Sequence, residues 1–237
     1  MIKIMDEKLF CSAVIVAAGS GKRMGTDKPK QFLELCGKTI IERTVGIFAG
    51  CNFINEIIVV SSEDGIGKCK KLLDVKGIKY VLGGSERYES VYNGLKSVSE
   101  NSDIVIIHDG VRPFVTENII RESVLSAIEY GACAAGVKSK DTVKICDADG
   151  FVKETPDRSM VYSIQTPQTF RRSIISDAYQ KACLSGVFGT DDASLAENAG
   201  YRVKIIEGSY ENIKITTPDD LIVGEKLLKG GGDDKNS

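Results

Sequence analysis

The loop Ala17-Ala18-Gly19-Ser20-Gly21-Lys22-Arg23-Met24-Gly25, followed by Lys28-Pro29-Lys30-Gln31, carries the residue types of a phosphate-binding device. Glycines directly after an apolar strand let backbone N–H groups approach phosphate oxygens. Arg23 and Lys30 place two cations in the same loop. Two familiar phosphate loops are excluded. The P-loop needs G-x-x-x-x-G-K-[ST], and here Gly21-Lys22 is followed by Arg23. The dinucleotide fingerprint needs G-x-G-x-x-G, and here the third glycine comes one residue late. No acidic residue ends the second strand to meet a ribose. What remains suits a triphosphate whose charge grows at the reacting phosphorus. A solvated basic turn is the commoner fate of such residues. The loop's place at the carboxyl end of a strand, where open α/β sheets bind ligands, favours the binding reading.

Other polar clusters fall at the same edge. Gly83-Gly84-Ser85-Glu86-Arg87 follows the third strand, with Ser90 one helical turn on. His108-Asp109-Gly110-Val111-Arg112-Pro113 follows the fourth. A strand-end Asp109 can approach a magnesium–phosphate complex and Arg112 can meet a phosphate, although Asp-Gly is also an ordinary turn cap. His108 is the only histidine, which excludes a histidine triad or a multi-histidine metal site and makes it structural at the strand terminus. Gly189-Thr190-Asp191-Asp192-Ala193-Ser194 and Asn212-Ile213-Lys214-Ile215-Thr216-Thr217 offer polar groups for a second phosphate-bearing ligand.

The elements that must position these loops alternate between strand and helix. Apolar runs at Ala13–Ala17, Glu56–Ser61, Lys79–Leu82, Asp103–His108 and Ala132–Val137 read as strands. Helical spacing occupies Thr39–Phe48, Gly67–Val75, Arg87–Val98 and the stretch from the N-cap Thr116 to Tyr130. The order implies right-handed crossovers and helices on both faces of a doubly wound, mostly parallel sheet: an α/β, Rossmann-like fold. Lys138 to Met160 breaks the rhythm. Thr142–Cys146 and Phe151–Glu154 flank an Asp149-Gly150 turn, a hairpin signal. It reads as a polar hairpin with little apolar surface to bury, either a surface feature or an arm reaching a partner subunit. Beyond it come a strand at Val161–Gln165, helices at Arg172–Leu184 and near Ala193–Asn198, and a strand at Arg202–Glu207. A last helix begins at Thr217-Pro218-Asp219-Asp220. One domain spans 1–229, with the arm at about 138–160, and the glycine- and charge-rich tail from Gly230 to Ser237 is expected to be disordered.

Composition narrows the partners. The chain has 237 residues, 42% hydrophobic, and a net charge of −2, so no basic field attracts nucleic acid. The apolar run at Ala13–Ala18 is too short for a signal peptide or membrane span. Seven cysteines, an odd number without a C-x-x-C pair, fit a reducing cytoplasm better than a disulfide framework.

The set AAGSGKRMG…KPKQF, GGSER, HDGVRPF, KDTVK, QTPQTF, GTDDASL and GSYENIKITTPDDL resembles the 2-C-methyl-D-erythritol 4-phosphate cytidylyltransferases, from about Ala13 to Leu221. The resemblance implies CTP and methylerythritol phosphate as substrates, Mg²⁺, a homodimer joined through the arm, and a place in non-mevalonate isoprenoid synthesis. By motif, Arg23 and Lys30 match residues that stabilise the transition state. Ala17, Ala18, Gly19, Gly21, Gly84, Ser85, Ser90 and Asp109 match the nucleotide site. Arg112, Thr190 and Lys214 match positions facing the sugar phosphate. Thr142 and Arg158 match arm residues that complete the other subunit's site. Ser85 stands where many relatives have Asp, which leaves its base or ribose contact open. Val111 stands where Ala is usual, and HD-x-VRP also occurs in the sister ribitol-5-phosphate cytidylyltransferases, which remain the alternative. The TDDAS block and AAG at the loop favour the methylerythritol enzyme. A nucleotide-binding regulator that keeps the fold without the chemistry is the rival of another class.

Overall fold

The structure is a computed structural model that describes residues 9–19 and 28–230. Gly21, Arg23 and the tail from residue 231 lie outside the described residues; Gly230, expected in that tail, closes the last helix. The scaffold is a seven-stranded sheet. Its strands are β1 (Cys11–Ala17), β4 (Glu56–Ser61), β5 (Lys79–Leu82), β6 (Ile104–Asp109), β7 (Ala132–Lys138), β10 (Tyr162–Arg171) and β11 (Lys204–Glu207). The spatial order is β11-β7-β10-β6-β1-β4-β5. Neighbours are parallel except at β10, which runs antiparallel to both β6 and β7. Register sets the functional edge: Val16 pairs with Asp109 and Ala17 with Ser61, so three strand ends finish in one row.

Two apolar layers enclose the sheet. On one face β1, β4 and β6 pack against α1 (Ile40–Gly50), α2 (Glu63–Leu72) and α4 (Glu117–Tyr130), with Phe32, Ile41, Phe48 and Ile120 fully buried. On the other lie α3 (Arg87–Lys96), α5 (Arg172–Ser185) and α6 (Asp192–Asn198), contributing Val91, Ile175, Tyr179 and Leu195. The small ladder β2 (Glu34–Leu35) and β3 (Lys38–Thr39) and the last helix α7 (Pro218–Gly230) enclose a third cluster around Leu35, Ile40 and Ile215. Local signals start the helices. Thr39 and Glu42 form a capping box on α1, and the Thr116 hydroxyl accepts from the Ile119 N–H at α4.

Three expectations shift. The helix expected at Gly67–Val75 begins at Glu63, because the Ser62 side chain caps it and acids fill the first turn. The strand expected at Val161–Gln165 runs to Arg171. Pro167 has no N–H to donate to a ladder, and the chain crosses it through an irregularity between Ile164 and Gln168 and then pairs on both sides. The arm is not poor in apolar surface. Its ladder, β8 (Ile145–Cys146) with β9 (Val152–Glu154), is the extended tip of a β7–β10 hairpin, since Lys138 pairs with Tyr162 at its base. Phe151 is 73% exposed and Met160 79%, alongside exposed Ile145 and Val152. The apolar residues were hidden by the charges that alternate with them.

All seven cysteines are free thiols, and Cys11, Cys51, Cys69 and Cys133 are buried. Burial pushes the Cys133 thiol up to about 12 and the Cys69 thiol to about 11, so neither is a ready nucleophile. No described helix is long and apolar enough to cross a membrane.

His108, the penultimate residue of β6, is fully buried, its ring centroid 5.0 Å from that of Phe48. Its Nε2 lies 3.2 Å from the Arg112 carbonyl oxygen; the carbonyl can only accept, so Nε2 carries the proton. Desolvation lowers its pKa from 6.5 to about 4, against the opposing pull of the Arg112 carbonyl and Asp109. Below pH 6.5 the unfolded chain takes up a proton that folded His108 refuses, so stability falls as pH drops towards 4, by roughly 3 kcal/mol over the window. His108→Gln keeps a donor for Arg112 and removes the titration. Denaturant unfolding of the metal-free protein at pH 7 and 4.5 is expected to show a smaller loss in the variant. An equal loss would assign the acid sensitivity to other groups.

Candidate active site

A cleft of about 180 Å³ opens at the row of strand ends, between the first loop and the start of α3. Its floor is held from behind. The Gln31 side-chain amide donates to the Ala17 carbonyl at 2.7 Å, and the Ser61 hydroxyl donates to the same oxygen at 3.1 Å. Gly110 has no room for a side chain, since a Cβ there would sit 2.9 Å from that of Ala17. The α3 wall is organised by Ser90, whose hydroxyl accepts from the Gly84 N–H at 3.1 Å and donates to the Glu86 carbonyl at 3.1 Å.

Asp109 is the electrostatic centre. Lys214 Nζ lies 2.8 Å from Oδ2 and Arg112 Nε 3.5 Å from the same oxygen, while Arg87 Nε lies 3.4 Å from Oδ1. The Asp109 N–H donates to the Thr166 hydroxyl at 3.1 Å. Burial alone would favour the neutral acid, but Arg87, Lys214 and Arg112 outweigh it and hold the carboxyl well below the usual carboxylate range. The two guanidinium groups respond oppositely. Arg112, deeply buried and sharing one carboxylate, is lowered by desolvation; Arg87 is raised because two carboxylates, Asp192 and Asp109, overcome the same penalty. Arg112 is further fixed by a 2.7 Å hydrogen bond from Nη1 to the Asn212 carbonyl.

Ala17, Ala18, Gly19, Lys30, Gly84, Ser85, Ser90, Asp109 and Lys214 all line this cleft. Arg112 does not; it stands behind Asp109. Thr190 is exposed just before α6. Thr142 and Arg158 are on the arm, outside their own chain's cleft, and Arg158 Nη1 donates to the Lys140 carbonyl at 3.3 Å. The Ser85 hydroxyl donates to Glu89 Oε2 at 2.7 Å, a local use of the side chain that its sequence position did not indicate. Arg87, Gln31 and Glu86 line the cleft as well; the sequence placed them in its polar clusters but gave none of them a role. Arg87 had a signal: it is the first residue of a helix that follows a Gly-Gly strand end.

The sequence matches the family described as IspD, 2-C-methyl-D-erythritol 4-phosphate cytidylyltransferase, over residues 11–230. It is 48% identical to the 2-C-methyl-D-erythritol 4-phosphate cytidylyltransferase of Alkaliphilus oremlandii, covering 92% of this chain and 94% of that protein. Identity to the enzyme of the same name from Caldanaerobacter subterraneus is 46%, over 92% and 98%. Among solved structures, the 4-diphosphocytidyl-2C-methyl-D-erythritol synthase of Anaerococcus prevotii superposes with a TM-score of 0.86 at 39% identity, covering 94% of this chain and 97% of that one. The Thermus thermophilus cytidylyltransferase gives 0.76 at 28% identity, over 93% and 100%. Fold, cleft and sequence agree: this chain belongs to the IspD family of 2-C-methyl-D-erythritol 4-phosphate cytidylyltransferases.

Proposed function

We infer that the protein joins CTP and 2-C-methyl-D-erythritol 4-phosphate into 4-diphosphocytidyl-2-C-methyl-D-erythritol, releasing pyrophosphate. This is the cytidylyl transfer of the non-mevalonate isoprenoid pathway. The observation that carries the reading is a cleft at the strand ends lined by Lys30 and Lys214, with Lys214 paired to a buried, ionised Asp109. A phosphate oxygen of the sugar phosphate attacks the α-phosphorus of CTP as the bond to pyrophosphate breaks. The nucleophile is already anionic at neutral pH, so no general base is required, and the lone buried histidine and shielded core thiols are no obstacle. Negative charge grows on the equatorial oxygens and on the leaving pyrophosphate, and fixed cations stabilise it. Lys30 and Arg23 serve that charge, and the glycine loop with Gly84 and Ser90 seats the nucleotide.

Magnesium fits the donor set. No group of three or more His, Cys, Asp or Glu side chains capable of holding a metal occurs among the described residues. Asp109 and Glu86 are the carboxylates that line the cleft among the described residues, and Mg²⁺ characteristically combines one or two carboxylates with substrate phosphates. The CTP phosphates would hold most of the ion's coordination with Asp109 nearby, where the metal would neutralise phosphate charge. Lys214 and Thr190 are assigned to the sugar-phosphate side; Arg112, expected there, stands behind Asp109 and supports it.

The arm is assigned to a homodimer. Phe151 and Met160 are exposed on the arm together with Ile145 and Val152, and exposed apolar side chains of this size suit a protein partner. With a swapped arm, Thr142 and Arg158 complete the partner's cleft, where a guanidinium suits bidentate capture of the sugar phosphate. The free thiols fit a reducing cytoplasm.

A coupled pyrophosphate assay with methylerythritol phosphate and ribitol phosphate side by side tests the activity. Turnover with the former is expected; turnover with ribitol phosphate alone would reassign the substrate, and CTP binding without pyrophosphate would make the protein a regulator. Lys30→Ala, and separately Arg23→Ala, should lower kcat by at least about 100-fold in folded protein. Near-normal turnover would remove that residue from the chemistry. Mixing Lys30→Ala with Arg158→Ala subunits tests the arm. In a swapped heterodimer one cleft carries both defects and the other neither, so activity should reappear. Subunit exchange without recovered activity would show that each arm serves its own chain.

A further inference from the structure

Asp109 is held unequally. Among the described residues, Oδ2 is shared by Lys214 and Arg112, whereas Arg87 is the only cation among the ion-pair partners of Oδ1. Arg87 is itself anchored. Its Nη2 lies 2.8 Å from Oδ2 of Asp192, and Asp192 Oδ1 accepts a 2.7 Å hydrogen bond from the Tyr179 hydroxyl. Asp192 is fully buried and Tyr179 nearly so. The carboxylate is also fixed through its own helix. Gln168 on β10 donates from Nε2 to Asp191 Oδ2 at 2.7 Å and accepts from the Ala193 N–H at 2.9 Å, which bolts the start of α6 to the sheet. A chain of polar contacts therefore runs from α5 through α6 and α3 to the end of β6. A buried ion pair is a poor source of net stability compared with apolar packing, and its value lies in fixed geometry. Arg87 borders the cleft, yet Asp192 turns its guanidinium towards the carboxylates and away from a role as one more phosphate clamp.

We propose that Arg87, anchored by Asp192 and Tyr179, is a positioning residue that sets the orientation of Asp109 for cytidylyl transfer. The inference rests on Asp109 serving the transfer, which Asp109→Asn tests by itself. Asp192→Asn preserves shape and an acceptor for Tyr179 but discharges the anchor. It should lower kcat by about tenfold or more, leave KM for methylerythritol phosphate within about twofold, and leave metal-free CTP affinity by calorimetry within about threefold. Introduced into Asp109→Asn, the same change should cost less than about twofold, because the strut then has nothing to orient. Tyr179→Phe should act in the same direction and more weakly, and it replaces Asp192→Asn in the cycle if that variant does not fold. Wild-type kcat in the anchor variant, a loss confined to KM, or a full further loss in the Asp109→Asn background would each overturn the strut. Wild-type turnover of Asp109→Asn alone would remove Asp109 from the chemistry and this inference with it.

Discussion

The molecule is organised around one costly group, the buried carboxylate of Asp109. An ionised carboxylate in a protein interior is tolerated only if cations and hydrogen bonds replace its water. Here Lys214, Arg112 and Arg87 arrive from three different segments, the loop after β11, the turn after β6 and the first turn of α3. Each must be in place for the charge to be acceptable, so the requirement to neutralise Asp109 draws these segments to one edge of the sheet. The same requirement prepares the site. Lys214, which lines the cleft, is already oriented by Asp109 in the free protein, and preorganised charge of this kind is what charge-developing reactions exploit.

The sheet explains why that edge is available. Ala17, Ser61 and Asp109 end neighbouring parallel strands in register, and the loops that leave them need not cross one another. β10 interrupts the parallel run, and with it comes a hairpin long enough to project an arm. The arm base is tied back to the body. The Tyr210 hydroxyl donates to the Lys138 carbonyl at 2.8 Å, and Lys140 Nζ sits 3.9 Å from the Tyr210 ring centroid. Tyr210 precedes Asn212 and Lys214, so the segment that steadies the arm also supplies a cation to the cleft. Asn212 continues the link inward through 3.1 and 2.9 Å bonds to Gln165 and Thr166.

Much of this was legible in the chain itself. Apolar runs, glycine-rich strand ends and capping residues determine strands and helices locally, because backbone geometry and water exclusion act over a few residues. The cleft's floor and most of its described lining, Ala17, Ala18, Gly19, Lys30, Gly84, Ser85, Ser90 and Asp109 among it, could be named because parallel strands deliver their carboxyl ends to one side whatever the loops do. What the sequence could not decide is which distant charges meet. Nothing local tells Arg87 to turn towards Asp192, 105 positions away, or Arg112 to stand behind Asp109 while Lys214 lies in front. Nor does alternating polarity reveal that the apolar side chains of the arm stay uncovered by their own chain, or that β10 continues past Pro167 between two antiparallel neighbours. Those outcomes depend on long-range packing, in which a side chain's partner is set by where the whole sheet places it.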